Sequence, residues 1–307
     1  MFKIINMEFE VIIIGGSYAG LQAGMTLGRS LRKVLIIDSG KPCNAQTPHS
    51  HNFLTRDGET PAAIAKIALE QLKTYTTVQV LHGKAVLGEK TNHGFSVTTE
   101  AGEKFTSKKL ILTTGVKDIM PEIPGVAACW GISVIHCPYC HGYEVANQPT
   151  GILGNGEGGF ETAKLIQHWT KDLTLFTNGP ITMTAEMVAQ IKRKNIHIIE
   201  TPVKAIIHDN GQLNAVELTD GTQVSLKAVY ARLPFIQHCD IPAQLGCELT
   251  EAGHIKVADF GKTSVEGVYA AGDNCSMMRG VANAVSAGLA AAAFVNRELI
   301  WEEFENA

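Results

Sequence analysis

The sequence predicts an α/β protein built from two nucleotide-type βαβ units, the second inserted into the first. Three observations carry this reading. An apolar run, FEVIII, leads into the glycine turn GGSYAG near the start of the chain. A second strand–turn–helix pattern, GILGNGEGGF, begins at Gly151. A further buried strand, VYAAGD, arrives only after that second pattern has ended.

Phe9 to Ile14 reads as a buried strand, Leu21 to Leu31 as a helix, and Val34 to Asp38 as the next strand. Together they form a β-turn-α-β unit within about 30 residues that ends in an acid. Thr60 is the expected N-cap of a helix with Pro61 at its first position, running to about Tyr75. From Val78 to Leu112 the segments VQVLHGKAVL, GFSVTTEAG and KLILTTG read as strands separated by glycine turns. Lys117 to Gly125, with two prolines, reads as a linker. The second unit continues through LTLFTNG, a helix from about Ala185 to Lys194 and short strands to about Tyr230, and Leu233 to Pro242 is a return linker. Val268 to Asp273 is a buried strand, and the Ala-rich tail from Ala282 to Phe304 is a long, closely packed helix. The expected domains are 1–116 with 243–307, and 117–242.

The chain has 307 residues, 45% hydrophobic and 18% charged, enough for about two domains with real cores. No Gly-X-Y period or low-complexity tract exists, which excludes collagen-like, disordered and coiled-coil classes. A net charge of −4 argues against nucleic-acid and anionic-membrane partners. No apolar run reaches the roughly 18 residues of a membrane-spanning helix. The N-terminus has too short an apolar run for a signal peptide, so a cytoplasmic location is expected. Seven scattered cysteines are not a disulfide scaffold, and only Cys137 and Cys140 form a close pair.

GGSYAG puts Gly15, Ser17 and Gly20 where a dinucleotide fingerprint has its glycines, with Ser17 replacing the second. Asp38, at the end of the next strand, is placed to hold ribose hydroxyls. An ordinary glycine-rich turn would explain the glycines alone; the ordered strand, turn, helix, strand and acid favour a nucleotide site. Gly154, Gly156 and Gly159 supply a full second fingerprint, but LTLFTNG offers no acid for a ribose and no arginine for a 2′-phosphate. Whether that unit takes NADPH or NADH stays open. In HCPYCHGYE, Cys137 and Cys140 have the spacing of a redox pair, and His141 follows as a proton carrier. A zinc half-site is the competing reading, but no second pair at metal spacing completes it, so no metal is expected. The segment HSHNF, with His49 and His51, is polar and lacks further ligands for a metal.

In this order, GGSYAG, Asp38, TTG at 113–115, CPYC ahead of GNGEGG, TSVEGVYAAGD and RGVANAVSAGLAAA, the landmarks resemble the low-molecular-weight thioredoxin reductase family of flavoproteins over nearly the whole chain. The resemblance implies two Rossmann-like domains, a homodimer, and an FAD that exchanges electrons with the dithiol. It implies that Cys140 faces the flavin and that Cys137 meets the external thiol or disulfide. It assigns Thr114, Gly115, Gly272 and Asp273 to FAD, with Gly280, Val281 and Ala282 near the ring system. The chain departs from the family at two places: His141 stands where an Asp is usual, and TNG replaces an arginine-rich segment. Both features resemble the branch of gliotoxin- and holomycin-type dithiol oxidases. The implied function is an FAD-dependent dithiol/disulfide oxidoreductase acting on a thioredoxin-like protein or a small dithiol. The alternatives are a flavin oxidase or monooxygenase that leaves the pair idle, and a non-enzymatic redox-sensing flavoprotein. The physiological electron donor or acceptor stays open.

Overall fold

The computed structural model describes residues 8–306. The expectation that the N-terminus carries no signal rests partly on residues 1–7, which lie outside the described residues.

The first elements are β1 (Glu8–Ile14), α1 (Tyr18–Arg29), β2 (Val34–Asp38), α2 (Pro61–Leu72), β3 (Val78–His82) and β4 (Ala85–Thr91). They are followed by β5 (Gly94–Thr99), β6 (Lys104–Leu112), β7 (Val116–Asp118), α3 (Val126–Cys129), β8 (Val134–Ile135) and α4 (Pro138–His141). Next come β9 (Thr150–Leu153), α5 (Gly156–Ile166), β10 (Leu173–Phe176), α6 (Ala185–Arg193), β11 (His197–Ile199) and β12 (Val203–Asp209). The chain closes with β13 (Gln212–Leu218), β14 (Gln223–Ser225), β15 (Ala228–Ala231), β16 (Phe235–Gln237), α7 (Ile241–Gln244), β17 (Val268–Ala270) and α8 (Val281–Glu305).

The chain divides into two compact units. The first gathers Met1–Ala45, Phe53–Lys117 and Phe235–Ala307; the second gathers Gln46–Asn52 and Asp118–Pro234. In the first unit β3, β2, β1 and β6 lie side by side in parallel, with β17 also parallel to β6, and β5 and β4 continue the sheet antiparallel. From Val11 to Ile14 strand β1 is continuously apolar and buried because both of its faces are covered there. Val11 and Ile13 join the core under α1 and α8, while Phe9, Ile12 and Ile14 join the core on the other face. Each such fully buried side chain contributes about 1.5–3 kcal/mol. In the second unit a five-stranded parallel sheet runs in the order β11, β10, β9, β15, β8, beside an antiparallel β12–β13–β14 meander.

Two details differ from the sequence expectation. Helix α1 begins at Tyr18, three residues early, because Ser17 leaves the glycine turn in an extended conformation and serves as N-cap. The two segments read as linkers contain β7 and β16, which pair with each other, and the Ile119 N–H donates to the Pro234 carbonyl at 2.8 Å. Three-residue strands carry no readable period. Thr60 caps α2 as expected, its hydroxyl accepting from the Ala63 N–H at 3.2 Å.

Candidate functional site

The first unit brings its candidate cofactor residues to one edge, since β1, β2, β6 and β17 are mutually parallel and end there together. Gly15, at φ 104°, turns the chain where a Cβ would lie 2.3 Å from the Thr113 carbonyl oxygen. A Cβ on Gly20 would lie 1.9 Å from the Gly15 carbonyl oxygen, so the first turn of α1 closes only with glycine. Thr113 fixes the turn from β6 by donating to the carbonyls of Ile14 and Gly15, at 3.0 and 2.7 Å. Ser17 caps α1 without a side-chain hydrogen bond. Asp38, half-buried at the end of β2, accepts from the N–H groups of Gly16 at 2.9 Å and Gly40 at 3.1 Å.

Thr114 and Gly115 follow β6, and Gly272 and Asp273 follow β17. Asn274, completely buried, donates to the Leu112 carbonyl at 2.8 Å and to the Thr114 hydroxyl at 3.4 Å. Its Oδ1 has no partner among the described residues. Asp273 Oδ2 lies 3.5 Å from Arg279 Nε and 3.9 Å from Cys43 Sγ. Burial, helped by Asp273, pushes the Cys275 thiol up to about 12, which keeps it protonated. Gly280 caps α8, which opens with Val281 and Ala282. Around Gly115 and Gly280 the space a side chain would enter is open. A tight glycine turn, a carboxylate at a strand end, an orphaned buried acceptor and open space at two glycines fit an FAD laid across this edge.

In the second unit Cys137 and Cys140 are joined in a disulfide, with Cα atoms 5.3 Å apart. Cys137 is the extended N-cap of α4 and Pro138 its first residue. Tyr139 is exposed and meets Trp169 edge-on at 5.6 Å, which braces the loop from α5's far end. His136, just before the pair, stacks on Trp130 at 5.7 Å. His141 ends α4 and is half-buried; burial holds its imidazole below the usual histidine value, with Glu144 opposing and His51 assisting that shift. At neutral pH it is therefore a proton acceptor. Residues 46–52 group with this unit, and His51 Nε2 lies 3.4 Å from Glu144 Oε1.

Gly154, Gly156 and Gly159 make the β9–α5 turn. Asn155 occupies it: its Oδ1 accepts from the Gly156 N–H at 2.8 Å and the Thr182 N–H at 2.9 Å, and its Nδ2 donates to the Pro180 carbonyl at 2.8 Å. One helix-opening N–H, that of Gly156, is thus taken by the chain's own side chain, and residues 177–182 are tied across the turn. Asn178, in a left-handed conformation, accepts from the Val203 N–H at 2.8 Å. Sequence reasoning missed Asn155, Trp169, Glu144 and Asn274. Asn155, sitting between two fingerprint glycines, and Glu144, closing HCPYCHGYE, were visible in the motifs themselves.

Among the described residues no group of three or more His, Cys, Asp or Glu side chains is placed to hold a metal ion. Among them too, no helix is long and apolar enough to cross a membrane. Cys129 and Cys247 are buried, and burial raises both thiols.

Against known proteins, residues 9–288 match the pyridine nucleotide-disulphide oxidoreductase family. Thioredoxin reductase tcpT of Claviceps purpurea is 32% identical over 305 residues, covering 95% of this chain and 94% of that protein. Thioredoxin reductase sirT of Leptosphaeria maculans is also 32% identical, with 94% and 93% covered. The crystal structure of HlmI superposes with a TM-score of 0.91 at 31% identity, covering 99% of this chain and 97% of that one. The chain therefore belongs to the pyridine nucleotide-disulphide oxidoreductase family.

Proposed function

We propose that the protein is an FAD-dependent dithiol/disulfide oxidoreductase that exchanges electrons between Cys137–Cys140 and an external thiol/disulfide pair. The observation that carries this is the closed disulfide at the start of α4, with a half-buried, proton-accepting His141 at the end of the same short helix. Residues Gly15 to Gly20, Asp38, Thr114, Gly115, Gly272, Asp273 and Gly280 to Ala282 would hold the FAD, with Asn274 Oδ1 as a further acceptor for it. Bound FAD supplies a two-electron store for the pair.

The chain's own residues do the thiol chemistry. An external thiolate attacks one sulfur of Cys137–Cys140, and the other sulfur leaves as a thiolate. The second external thiol then attacks the mixed disulfide, so the substrate leaves oxidised and the pair is left as a dithiol. By the family resemblance Cys137 is the sulfur that meets the substrate. His141 accepts the proton that an entering thiol must lose and returns it to a leaving sulfur in the reverse direction. The names of the relatives support a thioredoxin-like disulfide as the substrate, and the resemblance supports a small dithiol as the alternative and a homodimer.

The Asn155 network favours electrons entering from the dithiol rather than from a pyridine nucleotide. Anaerobic mixing with NADPH, NADH or dithiothreitol, followed at the flavin absorbance, tests the function. Prompt bleaching by dithiothreitol is expected. A bound flavin that no dithiol bleaches would overturn it.

A further inference from the structure

The segment from Gln46 to Asn52 precedes the dithiol by some 90 residues of sequence but folds with it. Gln46 Nε2 donates to the Trp130 carbonyl and, at 3.4 Å, to the Ala127 carbonyl. Thr47 lies against Gly131, where a Cβ would come within 2.9 Å of its hydroxyl, and Ser50 is buried. The segment is therefore fixed on the body that carries α3 and α4. It delivers His51 to Glu144, Nε2 to Oε1 at 3.4 Å. Glu144 lies three residues beyond His141, at the wet edge of the loop, with 40% of its side chain exposed against 23% for His51.

We propose that His51 and Glu144 form a charge pair that sets the protonation of His141, with His51 a positioning residue supplied from outside the dithiol loop. This rests on the dithiol function above and names its regulation. The requirement comes from the reaction. Each dithiol closed to a disulfide releases two electrons and two protons, so His141 must load and unload a proton every cycle. A histidine sunk by burial alone would hold a proton poorly. A carboxylate beside it favours the imidazolium, and the His51 imidazole, when charged, opposes that and also neutralises the carboxylate. The groups that act on His141 are thus Glu144 on its own loop and His51 on the 46–52 segment. The neighbouring sulfurs of Cys137 and Cys140 are uncharged while they are joined. Tyr230, fully buried on β15 with a hydroxyl that has no partner among the described residues, also feels Glu144, but remains neutral because burial raises it.

The two members of the pair act in opposite senses, which makes the proposal testable. Imidazole signals of the oxidised FAD-loaded protein are followed by NMR across a pH titration, with His141 identified by its loss in His141→Gln. Glu144→Gln should move the His141 midpoint to lower pH and His51→Asn should move it to higher pH. Each change should amount to about a three- to ten-fold change in the protonation constant, as expected for a nearby, partly solvated charge. Glu144→Asp, which keeps the charge, should hold the midpoint near that of the parent. The acid limb of the pH–rate profile for reduction by dithiothreitol should move with the midpoints. Midpoints that do not move, or that move in the same sense in both variants, would overturn the pairing. An oxidised protein whose pair dithiothreitol does not reduce would instead count against the dithiol function, because the titration is read without turnover.

Discussion

Helix α8 begins in the candidate cofactor cradle and is anchored at its far end by a buried cation, so removing that cation should weaken the whole first unit. Lys109, on β6, has only 7% of its side chain exposed. Its Nζ contacts Glu298 at 3.3 Å and also Glu302. Lys109→Met keeps most of the apolar stem and removes the charge. Taking one partner from a fully buried pair costs about 3–5 kcal/mol. The cost here is lower, because Lys262 still reaches Glu298 at 2.8 Å and Glu302, 49% exposed, can rehydrate. We expect about 2 kcal/mol, which for a unit of this size is a fall of about 4–8 °C in Tm. Burial by itself would push the Glu298 carboxyl up, but Lys262, Tyr269 and Lys109 outweigh it and hold the group below the usual carboxylate range. A carboxyl depressed in the fold stabilises it above the ordinary value and loses that contribution as pH falls through the folded value. The gap between the variant and its parent should therefore narrow below about pH 4.3. Thermal melts near neutral pH and near pH 4 check both statements. A neutral-pH fall under about 1 °C, or a gap that widens in acid, would refute the reasoning.

Other outcomes follow from the two sites. Gly20→Ala should leave the protein unable to retain FAD, since its Cβ would sit 1.9 Å from the Gly15 carbonyl oxygen; flavin retained through gel filtration at the parent's stoichiometry would count against it. NADPH at micromolar concentration should reduce the flavin slowly, because Asn155 holds the α5 turn and no arginine stands at 177–182 to pair with a 2′-phosphate; rapid stoichiometric bleaching would show the site misread. His141→Ala should slow dithiol turnover by about 10²–10⁴-fold with FAD still bound. Because burial lowers the His141 value, its charging destabilises the parent as pH falls through about 6.5, so His141→Ala should lose less stability over that window in melts.

The α/β plan was readable because it is written in short-range signals. The FEVIII run, the glycine turns and the Ala-rich tail each follow from local sterics and periodicity, and the matched family has the same fold. What was not readable depends on distance in sequence. Nothing near His51 shows that it meets Glu144, and nothing near Lys109 shows that it meets Glu298 and Glu302. Strands β7 and β16 are too short to show a period, and pairing alone defines them. The candidate thiols and glycines could be named from spacing. The groups that orient them, Thr113 under the first turn, Asn155 in the second and Trp169 beside Tyr139, come from other elements or act through geometry that a motif does not encode.

The central claim is that one chain carries both an FAD and a redox-active Cys137–Cys140 pair. Anaerobic titration with dithionite measures it directly, because each centre takes up two electrons. The FAD-loaded parent should consume four electrons per chain before reduction is complete, and the Cys137→Ser/Cys140→Ser double variant only two. A parent that stops at two electrons, with its thiol count unchanged, would contradict the account.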